Sequence, residues 1–269
     1  MANIELSQEY ENLKNEIKDL EKIFAEEIFK RDELEYIICK NIKTKYMVEI
    51  GGLEYEVYSL YCKYRRLRRK AELIQFRKNR RERVDMRAID TSLDQEFADY
   101  QKRLDDRADD ITKAVGERAK EKMSSAEVRE FKGLYRKLIK KLHPDLHPDQ
   151  TADKIELFHK VVEAYKTGDT KSLKVIDQIV ETNIIFETKT TMEGLADYKA
   201  QIIKNIGYVK NDIQKLKTTT PYIWKEILED PIKKEEKIAE LKEAKESFKA
   251  AIDTLEDLIK KLLEETDDR

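Results

Sequence analysis

Apolar residues return every three or four positions along most of this chain, the period of amphipathic helices with one buried face. Leu13, Ile17, Leu20, Phe24, Ile28, Leu34, Ile38 and Ile42 trace a first stripe; Gly51 and Gly52 interrupt it, and Leu53, Val57, Leu60, Tyr61, Tyr64, Leu67, Leu73, Ile74 and Phe76 resume it. Two long antiparallel helices turning at the glycine pair are the economical prediction. Beyond residue 83 the pattern thins, and Leu93, Phe97, Tyr100, Leu104 and Ile111 predict a connecting helix. Near the other end, residues 195–216 and 238–263 form a second helical pair, with Ile238, Leu241, Ala244, Phe248, Ile252, Leu255, Leu258, Ile259 and Leu262 on the last buried stripe. Trp224, between turns marked by Pro221 and Pro231, is expected to plug the end of that hairpin, in preference to serving as an aromatic contact for a client.

The best-marked helix lies between these pairs. Ser124 and Glu127 form a Ser-x-x-Glu capping box, in which hydroxyl and carboxylate each satisfy a free backbone N–H. Val128, Phe131, Leu134, Tyr135, Leu138, Ile139 and Leu142 then make one apolar face, while Arg129, Lys132, Arg136, Lys137, Lys140 and Lys141 make the other a concentrated positive field. Pro144 ends the helix, because it lacks a donor and disfavours helical geometry at His143. A second helix begins near residues 151–153 and buries Ile155, Phe158, Val161, Val162 and Tyr165. After Gly168, Asp169 caps a short helix with Leu173, Ile176 and Ile179 on one face.

Composition agrees with a helical chain. With 7 Gly and 4 Pro in 269 residues it has few breakers, and 41% charged residues imply a large wetted surface. Such polarity alone would also fit disorder, but 13 Tyr, 8 Phe and in-register Leu and Ile argue for packed elements. The expectation is an all-α protein of two or three domains: a helical hairpin with its connecting helix over 1–120, a small helical domain over 121–181 and a C-terminal hairpin over 182–269. No apolar run reaches the roughly 18 residues needed to span a bilayer, and no signal peptide is recognised, so no membrane is expected and the cytoplasm is the expected location. Cys39 and Cys62 suit a reducing compartment, read as buried thiols lying near each other across the hairpin.

Residues 63–83 hold 11 basic side chains against Glu72 and Glu82. Such a run grips phosphates in some proteins, but folding at Gly51 and Gly52 would lay it against Glu21, Glu26, Glu27, Asp32, Glu33 and Glu35, and mutual neutralisation is the preferred reading. A net charge of −2 also weighs against nucleic acid. His143, Asp145, His147 and Asp149 have ligand chemistry, yet two prolines stiffen their loop and no separate ligand set is evident. His159 belongs on the polar side of its helix. The chain has neither a phosphate-gripping Gly-x-x-x-x-Gly-Lys loop nor a convincing nucleophile and base. No enzyme, metal or cofactor is expected.

The tripeptide His143-Pro144-Asp145, with Tyr135-Arg136-Lys137-Leu138 before it and Phe158-His159-Lys160-Val161-Val162-Glu163-Ala164-Tyr165 after it, resembles the J-domain of the DnaJ family. In that family His-Pro-Asp sits between helices II and III, a Tyr-Arg-x-Leu element lies in helix II, and a Phe-x-x-Ile-x-x-Ala-Tyr element lies in helix III. The second copy, His147-Pro148-Asp149, is displaced by four residues from both anchors, so the first takes the family position and the second reads as loop. The resemblance implies a core of Tyr135, Leu138, Phe158, Val161, Ala164 and Tyr165. It also implies docking on a DnaK-type chaperone, whose own site hydrolyses ATP. Asp145 would meet a partner arginine, His143 would fix the loop and touch the partner, Pro144 would hold the turn, and Arg136, Lys137, Lys140 and Lys141 would steer association.

The resemblance is abbreviated. The family's first helix, with its Asp-Tyr-Tyr-x-x-Leu-Gly opening, has no counterpart in residues 111–123, so the packing helix must come from a different sequence, with the end of the long upstream helix as its expected source. Neither a Gly/Phe-rich linker nor paired Cys-x-x-Cys motifs follow. The sequence therefore points to a co-chaperone with private helical arms for a protein client, targeting or self-association. The rival is a structural helical adaptor whose J-like fold does not stimulate a chaperone.

Overall fold

The computed structural model describes residues 2–118, 123–182 and 191–267. Their regular structure is entirely helical, as the hydrophobic period predicts: α1 (Ala2–Asp32), α2 (Lys40–Tyr46), α3 (Gly52–Asn79), α4 (Met86–Glu96), α5 (Ala98–Arg118), α6 (Ser125–Leu142), α7 (Ala152–Thr167), α8 (Thr170–Thr182), α9 (Met192–Thr218), α10 (Trp224–Glu229) and α11 (Pro231–Asp267), with π-helical segments Glu33–Cys39 and Met47–Gly51.

The turn expected at Gly51 and Gly52 is absent. Both glycines have right-handed helical dihedrals, φ −56° and −60°, so α2, the second π segment and α3 follow without a break. Glycine permits a turn but does not compel one. At Gly51 its use is close packing, since a Cβ there would lie 3.0 Å from Met47 Sδ and 3.8 Å from Ile111 of α5. The π segments explain the irregular stripe. Buried Phe29, Leu34 and Cys39 follow one another at intervals of five residues, as do Tyr46 and Gly51, and the wider i→i+5 turn keeps such residues on one face.

Two compact units replace the three consecutive segments read from sequence. One comprises Met1–Asn41 and Glu121–Ile223; the other comprises Ile42–Lys120 and Trp224–Arg269. In the first, α1 packs along α9 and against α6, which in turn packs on α7 and α8. Its core joins Phe24, Ile28 and Phe29 of α1 to Tyr135, Leu138 and Ile139 of α6, to Val161 and Tyr165 of α7 and to Ile202 and Val209 of α9. The α8 stripe is Leu173, Ile176 and Val180, whereas Ile179, assigned to it from sequence, is exposed. Asp169 caps α8 as expected, accepting the Ser172 N–H at 3.0 Å.

In the second unit α3 packs along α11, with Tyr61 and Tyr64 against Phe248 at ring separations of 5.7 and 5.9 Å. The two helices expected to form a C-terminal hairpin, α9 and α11, are assigned to different units. Trp224 stacks on Tyr46 at 4.2 Å. The connecting helix is two helices, α4 and α5, and Asp85 opens α4 by accepting the N–H groups of Arg87 and Ala88. Cys39 and Cys62 are free and buried, but the first lies in one unit and the second in the other.

The basic run also pairs differently. Lys63 meets Glu256 at 2.8 Å, Arg66 meets Asp94 at 2.7 Å, Lys70 meets Asp90 at 2.8 Å and Arg69 meets Glu96 at 3.2 Å. Its carboxylates come from α4, from α11 and from its own Glu72 and Glu82, while those of α1 serve the other unit: Glu16 pairs with Lys199 and Glu26 with Arg136. Charge complementarity read along the sequence chose different partners from these, because it assumed a turn at the glycines. Because Phe24 is fully buried and Ile23 beside it is 47% exposed, Phe24→Ala is expected to cost about 3–5 kcal/mol in urea unfolding, and Ile23→Ala no more than about 0.5 kcal/mol.

Candidate functional site

The bend between α6 and α7 is built by hydrogen bonds to the backbone groups at the end of α6. The capping box opens α6 as predicted: Ser124 Oγ accepts the Glu127 N–H at 3.3 Å, and Glu127 accepts the Ser124 N–H at 2.7 Å. That bond to the carboxylate holds Glu127 below the usual pKa. At the other end His143 turns extended, φ −66° and ψ 127°, as the following proline requires. Its carbonyl accepts the N–H groups of Leu146 and His147, both at 3.0 Å. Two carbonyls at the end of α6 receive side chains from the loop: Gln150 donates to Leu142 at 3.0 Å, and the His147 ring lies 2.9 Å from the Lys140 oxygen. The second His-Pro-Asp copy therefore has work beyond filling the loop, since its imidazole covers a helix-end carbonyl that would otherwise lack a partner.

His143, Pro144 and Asp145 occupy three different environments. The His143 ring is 7% exposed, edge-on to Phe158 of α7 at 5.0 Å and to Phe24 of α1 at 5.9 Å. Its Nδ1 accepts the Asp145 N–H at 3.1 Å, so in the neutral ring the proton sits on Nε2. Burial, helped by the charges of Arg31 and His147, pushes its pKa down to about 3. Pro144 is half-buried and Asp145 is exposed. Leu146 is buried, and its carbonyl lies 2.7 Å from the Tyr198 hydroxyl of α9, which is also 3.0 Å from Glu21 of α1. Burial first and the Glu21 charge second raise the Tyr198 pKa.

Below the bend, the expected core residues meet. Tyr135, Leu138, Val161, Ala164 and Tyr165 are buried, and Phe158 packs against them half-buried. The Tyr135 and Tyr165 rings stack at 3.7 Å, and Phe131 extends the stack at 4.9 Å. The helix that covers this core is α1, not the end of the upstream helix: α5 lies in the other unit, whereas α1 delivers Phe24, Ile28 and Phe29. It also delivers Asp32, 1% exposed, whose Oδ2 accepts the Tyr135 hydroxyl at 2.6 Å while Oδ1 accepts Arg31 at 2.6 and 2.8 Å. Burial raises the Asp32 pKa, and the Arg31 charge and the Tyr135 bond oppose that rise. Sequence reading placed Asp32 on a charged flank. Its position four residues after Ile28, on the buried stripe, was the available signal.

The basic face of α6 is not the open positive field expected of it. Glu26 of α1 lies 3.3 Å from Arg136 and 3.4 Å from Lys140, Glu33 pairs with Lys132, and Asp177 of α8 holds Lys137 at 2.7 Å. The Arg136 guanidinium also sits 4.0 Å above the Phe29 ring. Lys141 is half-buried, and His159 is exposed on α7. Among the described residues there is no group of three or more His, Cys, Asp or Glu that could hold a metal ion, and no helix long and apolar enough to cross a membrane.

No protein-family model, curated protein or solved structure matches this chain. Chemically the site is a shaped presenter: an acidic tip held by a buried neutral imidazole, flanked by cations already in contact with carboxylates.

The His143 environment makes stability depend on pH. The unfolded chain binds a proton at this ring near pH 6.5 and the folded chain only near 3, so its contribution is complete above about 6.5 and is lost as pH falls through that window. Asp32, with its raised pKa, acts in the opposite direction above the ordinary carboxylate range. Between pH 7 and 5 the histidine is expected to remove about 2 kcal/mol, measured as the difference between wild type and His143→Gln in the pH dependence of urea unfolding. Equal slopes for the two proteins would refute this.

Proposed function

We propose that this chain is a J-type co-chaperone that docks on a DnaK-type ATPase and stimulates its ATP hydrolysis through the 143–145 bend. The observation that carries the reading is the division of labour at the bend: Asp145 is exposed at the tip while the His143 ring, locked between Phe24 and Phe158, accepts the Asp145 N–H and fixes the backbone that presents it. An exposed carboxylate on a rigid bend suits a charge-assisted pair with a partner arginine. The J-like unit on this reading is discontinuous, with α1 in the place of the family's first helix and α6, α7 and α8 as the second, third and fourth. The helices of the other unit would serve client, targeting or self-association contacts, in the cytoplasm, where Cys39 and Cys62 stay reduced.

A second reading has its own support. Burial of His143 and the carboxylates on Arg136, Lys137 and Lys140 fit a helical adaptor that keeps the fold without acting on a chaperone. Asp145→Asn separates the two with less disturbance than a change at His143, because the Asp145 side chain is exposed. In single-turnover ATP hydrolysis by the cognate DnaK-type chaperone, the co-chaperone reading expects stimulation by wild type and a loss of about 10- to 100-fold in Asp145→Asn, with thermal unfolding unchanged. Absence of stimulation by wild type would favour the adaptor.

A further inference from the structure

The cations that would meet a partner and the carboxylates that hold them belong to the same chain. Arg136 and Lys140 share one carboxylate, Glu26, contributed by α1; its side chain is 36% exposed and theirs are 43% exposed. Glu33, two helical turns further along, contacts Lys132, so α1 and the π segment that follows it run a row of negative charge beside the basic face of α6. The anchoring of α1 does not need these pairs, since Phe24, Ile28, Phe29 and the buried Asp32 to Tyr135 bond already hold it.

We infer that α1 is a built-in attenuator of partner docking: the Glu26 carboxylate occupies the electrostatic position that an acidic docking surface would take on Arg136 and Lys140. This rests on the co-chaperone reading and names the regulation of the same face. The pairs are partly solvated, and exposed ion pairs are weak, so the contact is displaceable. It lowers the attraction of the face for a negatively charged partner without closing it. The Asp145 tip stays open throughout, since Asp145 is exposed. Docking therefore exchanges one set of carboxylates on Arg136 and Lys140 for another, and a displaced Glu26 has solvent to turn into.

The test compares wild type, Glu26→Gln, Glu16→Gln and Asp145→Asn in binding to a DnaK-type chaperone across ionic strengths, alongside single-turnover ATP hydrolysis. Glu16→Gln is the control, because it removes a carboxylate of α1 that pairs with Lys199 of α9. The expected result is about three- to tenfold tighter binding by Glu26→Gln at low salt, a steeper salt dependence than wild type, convergence of the two near 1 M salt, and no change in Glu16→Gln. Stimulation by wild type, lost in Asp145→Asn, together with unchanged or weaker binding by Glu26→Gln, would overturn the attenuator and leave the co-chaperone reading standing. No stimulation by wild type and none by Glu26→Gln would remove that reading, and the attenuator with it.

Discussion

The buried contact of α1 with α6 is the constraint from which the rest of the first unit follows. Taking the Asp32 carboxylate out of water costs several kcal/mol unless partners replace its hydration, and here Arg31 and the Tyr135 hydroxyl do so from two sides. A polar pair of this kind is satisfied in only one register of α1 on α6. Slide the helix by a turn, and both the carboxylate and the phenol lose their partners inside the core. The same register sets Phe29 under Arg136, Phe24 against His143 and Glu26 beside Arg136 and Lys140. One buried hydrogen bond thereby fixes the geometry of the bend and the ion pairing of its flank together.

That arrangement also links the bend to the long helices. Tyr198 of α9 and Glu21 of α1 close over the Leu146 carbonyl, and Phe24 closes over His143. The loop is thus held by two helices, α1 and α9, besides the two that it joins in sequence, α6 and α7. On the proposed reading, a rigid backbone at the tip lowers the entropy lost when its carboxylate meets a partner.

The division into units follows from how α1 to α3 are used. A helical chain that does not turn at Gly51 and Gly52 must find different partners for its two ends, and the π segments let each part keep its apolar residues on the packed side despite five-residue intervals. The α1 stripe takes α6 and α9, and α3 takes α4 and α11. The dense charge on each helix is then matched locally within its own unit, as with Lys63 and Glu256 or Lys199 and Glu16.

Local physics was legible in the chain. The capping box at Ser124, the break at His143, the apolar faces of α6 and α7 and the Asp169 cap depend on residues within a turn or two of one another, where backbone sterics and hydrogen bonding act without regard to the remainder. Pairing between distant helices was not legible. Many amphipathic stripes of similar composition can bury one another, so hydrophobic period says that α1 needs a partner but not which one. Glycine was misread as a turn because its freedom is a permission that packing can decline, as at Gly51. Asp32, Glu26 and Tyr198 gained their roles only when α1 and α9 met the bend, because a charge or a hydroxyl acquires its partner through tertiary contact. The sequence by itself determined the helical class, the capped ends of α6 and the tripeptide bend; tertiary structure decided which helices share a core and which cations are already engaged, since those depend on contacts between residues far apart in the chain, such as Asp32 and Tyr135.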